Sequence, residues 1–553
     1  MTALPPALTA LLDSQGADAS RSHRVLAALA DGGWWTSREL VRGTTVAHRA
    51  VEAVLTALGE ELRRDGDRVR LASPAAYAAF TEAPLTDPVH HLLAAHPRAA
   101  AELDRLVAEA PPSRADLDHV AATPATALRR ALLLDGRFAL AGRRLLCVGD
   151  HDLTSLATTL VRPEAEAVVV DIDERMLDYI DTAAARLGLP VRCHFADLRL
   201  GLPPAVRGRA DLVFTDPPYT PEGVELFVRR GLEGLADPRH GRVLLAYGAS
   251  ETTPALLART QTRLTRLNVA YEAIWPDFNR YLGAEAIGAA SDLYVLRPTA
   301  RTPAGGDGRE AARIYSQGAN ARESAGGLDE TSVHALLDRF AADTLVGGRP
   351  LQARPEVRRV RLATWLAEPA AWAPTGTTTS GPGRDAAGSG ALVDLTGGWD
   401  ALLERVLLAA PAADVHVVLP SGAAQVRSEA GQRALRDAVG DRHELRFLRG
   451  CPDPRHTVVA ARYLPPDDDA PPGARLLRHC RDRAHGSIAA VLREGLIRVA
   501  AELGRPINKK QARTRVAAAA PRLSGHTLLD LPLHRVAALP DLTAALVAEL
   551  PAD

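Results

Sequence analysis

Four apolar runs in this chain each end in acid. "VGDHDLTS" closes one with Gly149, Asp150, His151 and Asp152; "VVVDIDER" closes another with Asp171; "FADLRLGLP" carries Asp197; and "LVFTDPPYT" carries Asp216, Pro217, Pro218 and Tyr219. Two carboxylates around an imidazole suit a cationic ligand, an amine or a sulfonium, better than a phosphate, which calls for glycines and free amides. Gly149 permits the tight turn, and Asp152 or Thr154 can cap the helix that follows. Asp171 can accept hydrogen bonds from both hydroxyls of a ribose, because a carboxylate has two acceptor oxygens. Asp173 reads as the cap of the helix beginning "ERMLDYI". Asp197 reads either as the acceptor for an adenine amine or as part of a surface turn. At the fourth run the prolines fix the backbone into a rigid lip. Asp216 is thereby held where it can bind an amine or take its proton, with the flat ring of Tyr219 beside it. Together these residues describe an adenosine–sulfonium site in which an alkyl group passes to nitrogen by in-line displacement, driven largely by proximity and orientation.

Such acids act together only if one scaffold brings the ends of the runs to one side. "RRLLCVG", "AEAVVVDID", "VRCHFADL", "ADLVFTDPPY", "GRVLLAYG" and "SDLYVLRP" alternate with helical or loop segments. That pattern predicts a mainly parallel, doubly wound α/β sheet with its ligand at the carboxyl ends of the strands. Residues 85 to 135 are helical and polar. Ahead of them, "HRVLAALADG", "TSRELVRG" (capped by Thr36 or Ser37) and "TVAHRAVEAVLTALGEEL" predict three helices. "LRRDGDRVRLA" predicts a hairpin turning at Asp65–Gly66. This is a winged-helix pattern. It would either bring Arg42, His48, Arg49, Arg64 and Arg68 to DNA or serve as a substrate-side or dimerisation module. Beyond the Gly/Ser/Thr/Pro-rich stretch 373–390, "ALVDLTGG", "DVHVVLPSG", "HELRFLRG" and "TVVAARYLP" predict a second α/β domain. A helical tail opens at "GSIAAVLREGLIRVAAELG". No phosphate loop, nucleophile elbow or metal signature falls in that half.

The 553 residues exceed one ordinary core. Formal net charge is -1, so the chain lacks the cationic excess of a dedicated polyanion binder. Lys509 and Lys510 are the only lysines. Cys147, Cys193, Cys451 and Cys480 are scattered without a CxxC pair, so neither disulfide framework nor metal site is expected. No apolar run approaches a membrane span of ~18 residues, and the expected location is cytoplasmic.

"VGDHDLTS", "VVVDIDER" and "FTDPPYT", supported by "FNRYLGAEAIGAASDLYVL" and "IYSQG", resemble the branched-chain polyamine synthases, the bis(aminopropyl)spermidine synthases, over about residues 20–325. The resemblance implies a Rossmann-like transferase core behind a winged helix. It also implies transfer of a 3-aminopropyl group from decarboxylated S-adenosylmethionine to a polyamine or related amine, with release of methylthioadenosine. By the same resemblance Asp216 is the acid–base candidate with Tyr219. The resemblance also implies Asp150 and Asp152 near the amine or donor, with Glu285 and Asp292 as candidates for an acceptor nitrogen. With the readings above, the donor-binding candidates are Gly149, Asp150, Asp171, Asp197 and Pro217, and the acceptor-binding candidates are His151, Asp152, Glu285 and Asp292. The family has three consecutive aspartates after the glycine. Here the middle one is His151, which removes a negative charge and leaves the acceptor amine and the donor open. The expected domains are 1–84 (winged-helix-like), 85–325 (catalytic), 326–390 (helical segment and linker) and 391–553 (C-terminal α/β).

Two other readings use the same residues. A nucleic-acid amino-methyltransferase would use S-adenosylmethionine and stack Tyr219 on a flipped base. A winged-helix regulator would sense a polyamine or adenosyl ligand. The neutral charge balance disfavours nucleic acid as a partner, no membrane is expected, and a homodimer stays an open arrangement.

Overall fold

The structure is a computed structural model. It describes residues 4–16, 19–80, 87–249, 253–303, 314–315, 327–348, 354–367, 390–411 and 413–550. Most of the Gly/Ser/Thr/Pro-rich stretch, and all of "IYSQG" except Ile314 and Tyr315, lie outside them. The chain forms two compact units. The first holds Met1–Val169, Tyr179–Val191 and Arg207–Gly306, and the second holds Val170–Asp178, Arg192–Val206 and Asp307–Asp553.

The first unit opens with α1 (Pro6–Gln15), α2 (Ala19–Leu29), α3 (Ser37–Thr44) and α4 (His48–Leu58). Three short strands, β1 (Trp35–Thr36), β2 (Leu62–Asp65) and β3 (Arg68–Leu71), pair in the order β1-β3-β2. Thr36 caps α3 through a reciprocal pair with Glu39, which satisfies two otherwise orphaned amides. Val25, Leu26, Leu29, Leu40, Val51 and Leu55 close a small core of their own. α5 (His90–Leu93), α6 (Pro97–Glu109) and α7 (Pro124–Arg137) then lead into the main sheet.

That sheet is built from β4 (Arg144–Val148), β5 (Glu166–Asp171), β6 (Val191–Phe195), β7 (Leu212–Thr215), β8 (Arg242–Tyr247), β9 (Val269–Arg280) and β10 (Ala290–Pro298), in the order β6-β5-β4-β7-β8-β10-β9. β4, β7 and β8 run parallel, and β10 is antiparallel to both of its neighbours. The connecting helices are α8 (Thr154–Val161), α9 (Glu174–Leu187), α10 (Pro221–Gly234) and α11 (Pro254–Arg266). The α/β, Rossmann-like sheet expected from the alternating runs is present. One strand, β9, was not expected. Its register against β10 shifts between Ser291 and Leu293, and Pro276, which has no N–H to give a ladder, falls in that bulge.

The second unit carries α12 (Glu330–Arg339) and a six-stranded sheet of β11 (Ala342–Gly347), β12 (Arg358–Arg361), β13 (Gly390–Asp394), β14 (Val415–Pro420), β15 (His443–Arg449) and β16 (His456–Tyr463). Its order is β12-β11-β13-β14-β16-β15, with β11, β12, β13 and β14 parallel and β16 antiparallel to both of its neighbours. β11 and β12 fall in the stretch expected to be helix and linker. Both are short, and β12 reads "RRVR", whose pattern gives no apolar run. α13 (Leu362–Ala367), α14 (Leu403–Ala409), α15 (Ala424–Arg427) and α16 (Glu429–Val439) flank the strands in sequence. The tail is α17 (Pro472–Arg481), α18 (Ile488–Glu502), α19 (Lys509–Ala519), α20 (Leu533–Ala537) and α21 (Leu539–Ala548). The four cysteines are buried free thiols. Among the described residues no helix is long and apolar enough to cross a membrane.

Candidate active site

Asp216 follows β7 directly, and its side chain keeps 16% of its surface open. Four groups hold it. Arg130 Nη2 donates to Oδ2 at 2.6 Å, Tyr281 OH to Oδ2 at 2.7 Å, and Tyr219 OH to Oδ1 at 3.1 Å. The fourth is indirect: Ser291 Oγ lies 2.8 Å from Tyr281 OH and fixes that phenol. Arg130, on α7, is fully buried and bridges two acids, since its Nη1 donates to Asp152 Oδ2 at 2.8 Å. Its Nε donates to Asn279 Oδ1 at 2.8 Å, and its guanidinium lies 4.8 Å from the centre of the Phe214 ring. Burial works against the charge of Arg130, but Asp152 and Asp216 outweigh it and keep the guanidinium cationic.

The two acids divide unequally. Burial pushes both upward. Arg130 then draws Asp152 below its ordinary range, whereas Asp216, with Asp152's negative charge nearby, is raised to about 7. Burial and the charge of Asp216 also raise Tyr219 well above the ordinary phenol value, and the same two causes raise Tyr281. Both phenols therefore stay neutral donors.

The acidic turn differs from the expected capping pattern. Asp150, rather than Asp152 or Thr154, caps α8: its two oxygens accept from Thr154 N at 2.8 Å and Ser155 N at 3.1 Å. Burial pushes Asp150 up to about 7 against those hydrogen bonds. Asp152 is instead drawn to Arg130 and to the amide of Ala122, 2.7 Å from its Oδ1. Gly149 has φ 71°, a left-handed conformation that favours glycine, and a Cβ there would press on Phe227 at 3.3 Å. His151 turns toward Ser113 Oγ (2.9 Å) and stacks on His119 with ring centres 4.5 Å apart. Pro217 is buried in the lip.

The remaining candidates engage other partners. Glu285 pairs with Arg38 and Arg42 of α3, at 3.2 and 3.3 Å, so those two arginines already engage its carboxylate. Arg42, a candidate DNA contact, is thus tied within its own unit. Asp292 accepts from the amide of Asp277 at 3.0 Å and supports the β9 bulge, and burial raises it. In the second unit, Asp171 is buried and accepts from Asp173 N at 2.8 Å. Asp173 accepts from Arg175 N at 3.1 Å at the start of α9, as a cap should. Asp197 is buried, not a surface turn, and both its oxygens meet Arg199, at 2.9 Å from Nε and 2.5 Å from Nη2.

One trio of metal-type side chains converges among the described residues: His194, His526 and Asp530, all buried. Both Nδ1 atoms lie against Asp530 Oδ1, at 3.2 and 3.0 Å, and the rings stack face to face at 3.9 Å. Asp530 thus ties the two rings to each other.

Arg130, Asn279, Tyr281 and Ser291 escaped the sequence reading as site residues. The last three lie inside the run "FNRYLGAEAIGAASDLYVL". Arg130 had no signal beyond an arginine within the apolar helix "ALRRALLL".

Residues 99–303 match the family described as "Branched-chain polyamine synthase A C-terminal domain". An uncharacterised protein of Methanocaldococcus jannaschii is 39% identical over 181 residues, which cover 33% of this chain and 45% of that protein. The N(4)-bis(aminopropyl)spermidine synthase of Thermus thermophilus is 34% identical over 185 residues, covering 34% of this chain and 48% of that enzyme. The chain thus spans about half the length of the curated relatives it matches. A crystal structure of the branched-chain polyamine synthase from Thermus thermophilus, in complex with N4-aminopropylspermidine and 5'-methylthioadenosine, aligns over 56% of this chain and 98% of its own. Its identity is 23% and its TM-score 0.41. Residues 99–303, which match the model of the branched-chain polyamine synthase C-terminal domain, thus carry both the acidic turn and the DPPY lip.

Proposed function

We propose that the chain transfers a 3-aminopropyl group from decarboxylated S-adenosylmethionine to an amine and releases methylthioadenosine. The observation that carries this reading is Asp216. It is a partly open carboxyl at a strand end, raised to about 7 and oriented by Arg130, Tyr219 and Tyr281. In the reaction the lone pair of the acceptor nitrogen attacks the methylene carbon next to the sulfonium. The C–N bond forms as the C–S bond breaks, and sulfur keeps the electron pair as a neutral thioether. The new ammonium then gives its proton to Asp216, which passes it to water. Asp171 is assigned to the ribose hydroxyls and Asp197 to the adenine amine.

Arg130 sets the acceptor form. Two carboxylates with one guanidinium leave a net charge of -1, enough to attract an amine, while the fixed cation disfavours a second ammonium close by. His151 in the acidic turn has the same sense, so the acceptor is read as an amine that reacts neutral and carries few charges near the attacked carbon.

The test is to incubate the full chain with decarboxylated S-adenosylmethionine and spermidine or shorter diamines, and separately with S-adenosylmethionine and DNA. Methylthioadenosine appearing only in the first set is expected. Adenosylhomocysteine from the second would replace this reading with methyl transfer.

A further inference from the structure

The second sheet repeats the first. Written by position in the chain, the main sheet runs third, second, first, fourth, fifth, seventh, sixth; the second sheet has the same order with the third strand left out. The registers agree at the strand ends. Val148 lies beside Thr215 in the main sheet, followed by Gly149 and Asp216, whereas in the second sheet Gly347 lies beside Asp394. A Rossmann-like sheet binds its ligand at this end. In the second sheet that position is filled from within. Trp399 is buried against Gly348, where a Cβ would collide with the indole, and Asp394 turns to Thr396, whose amide lies at 2.9 Å.

What Trp399 holds is Arg199. The guanidinium stacks 3.6 Å from the ring centre, and its Nη2 donates to the carbonyl of Gly398 at 2.7 Å, while the same side chain grips both oxygens of Asp197. A second clasp holds the loop after β5. Arg405 pairs with Glu174 at the start of α9, donates to Leu531 O at 3.0 Å and lies 3.7 Å from the Phe195 ring centre. The amide of Leu533 donates to Glu174 at 2.8 Å, and the amide of Phe195 donates to Asp530 O at 2.8 Å. Every one of these partners, from Gly398 to Leu533, lies outside the matched segment 99–303.

We propose that the C-terminal domain is a second, degenerate copy of the transferase sheet whose strand-end site has taken Arg199 as its ligand. In this role it positions the donor-nucleoside loops 170–178 and 192–206. Trp399 and Arg405 are positioning residues that act on Asp197 and Asp171 through Arg199 and Glu174. The inference rests on the donor reading above and adds the part of the chain that sets donor affinity.

The experiment uses the full chain, its Trp399→Ala and Trp399→Phe variants, and Glu174→Gln, which keeps side-chain volume should Trp399→Ala fail to fold. Calorimetric titration with methylthioadenosine is combined with separate KM values for donor and acceptor. Trp399→Ala is expected to weaken methylthioadenosine and raise donor KM about tenfold, with kcat and acceptor KM within about twofold. Trp399→Phe keeps a ring face and should recover most of the loss, and Glu174→Gln should weaken the nucleoside about threefold or more. Folded variants with unaltered nucleoside affinity, or with kcat and acceptor KM disturbed as much as donor KM, overturn the positioning role alone. If the unmodified chain binds no adenosyl nucleoside, the donor reading falls and takes this inference with it.

Discussion

Asp152 and Asp216 share one guanidinium, yet only Asp216 is left with a proton to trade near neutrality. Burial alone would protonate both. Arg130 reverses this for Asp152, and the resulting negative charge pushes Asp216 the other way, to about 7. A base must be ionised to act, so kcat/KM should rise with pH from about 6 and level off above about 8, and the limb belongs to the pair. Asp216→Asn should remove that limb and lower kcat by roughly 10²–10⁴. Asp171→Asn should keep the limb and chiefly raise donor KM. Asp150 is raised to the same region, so a limb that survives in Asp216→Asn would assign the titration to the helix cap instead.

At the level of elements, α8 depends on Asp150. Its two amide bonds satisfy donors that the first turn of a helix leaves orphaned, and Leu153 before them is strained into φ 60°. Asp150→Ala should therefore cost about 1–2 kcal/mol in urea unfolding, with Asp150→Asn recovering part; an unchanged midpoint would remove the cap from the account. The sequence marked this turn but named the wrong cap, because Asp150 and Asp152 are both within reach and only Arg130 decides between them. Most of the main sheet was legible for a simpler reason: β4, β7 and β8 are apolar runs stopped by turn residues. β9 was not, since its inward and outward residues alternate and Pro276 reads as a stop until the bulge is known. Arg130 was invisible in principle, because nothing local distinguishes a buried arginine from a surface one on the same helix.

For the whole molecule, the strands "ALVDLTGG" and "DVHVVLPSG" were readable singly. Their order is a pairing property that no run of residues carries, and it is the order that exposes the repeat. The loops after β5 and β6 grow from the main sheet, yet they share their compact unit with the second sheet. Regions that open together share one unfolding free energy. Amides in 170–178 and 192–206 should therefore exchange in step with β11 and β13, more than with β4 and β7. In Trp399→Ala the exchange of 192–206 should accelerate, because its Arg199 loses the stacked ring, while the amides of Arg144–Val148 and Leu212–Thr215 keep their protection. Hydrogen exchange read by mass spectrometry resolves these peptides. Equal acceleration in all four stretches would mean that Trp399 supports overall stability rather than these loops, and acceleration in none would mean that the clasp is redundant. Loop-specific acceleration is the outcome that follows from a second sheet whose strand-end Trp399 holds Arg199 of the loop after β6.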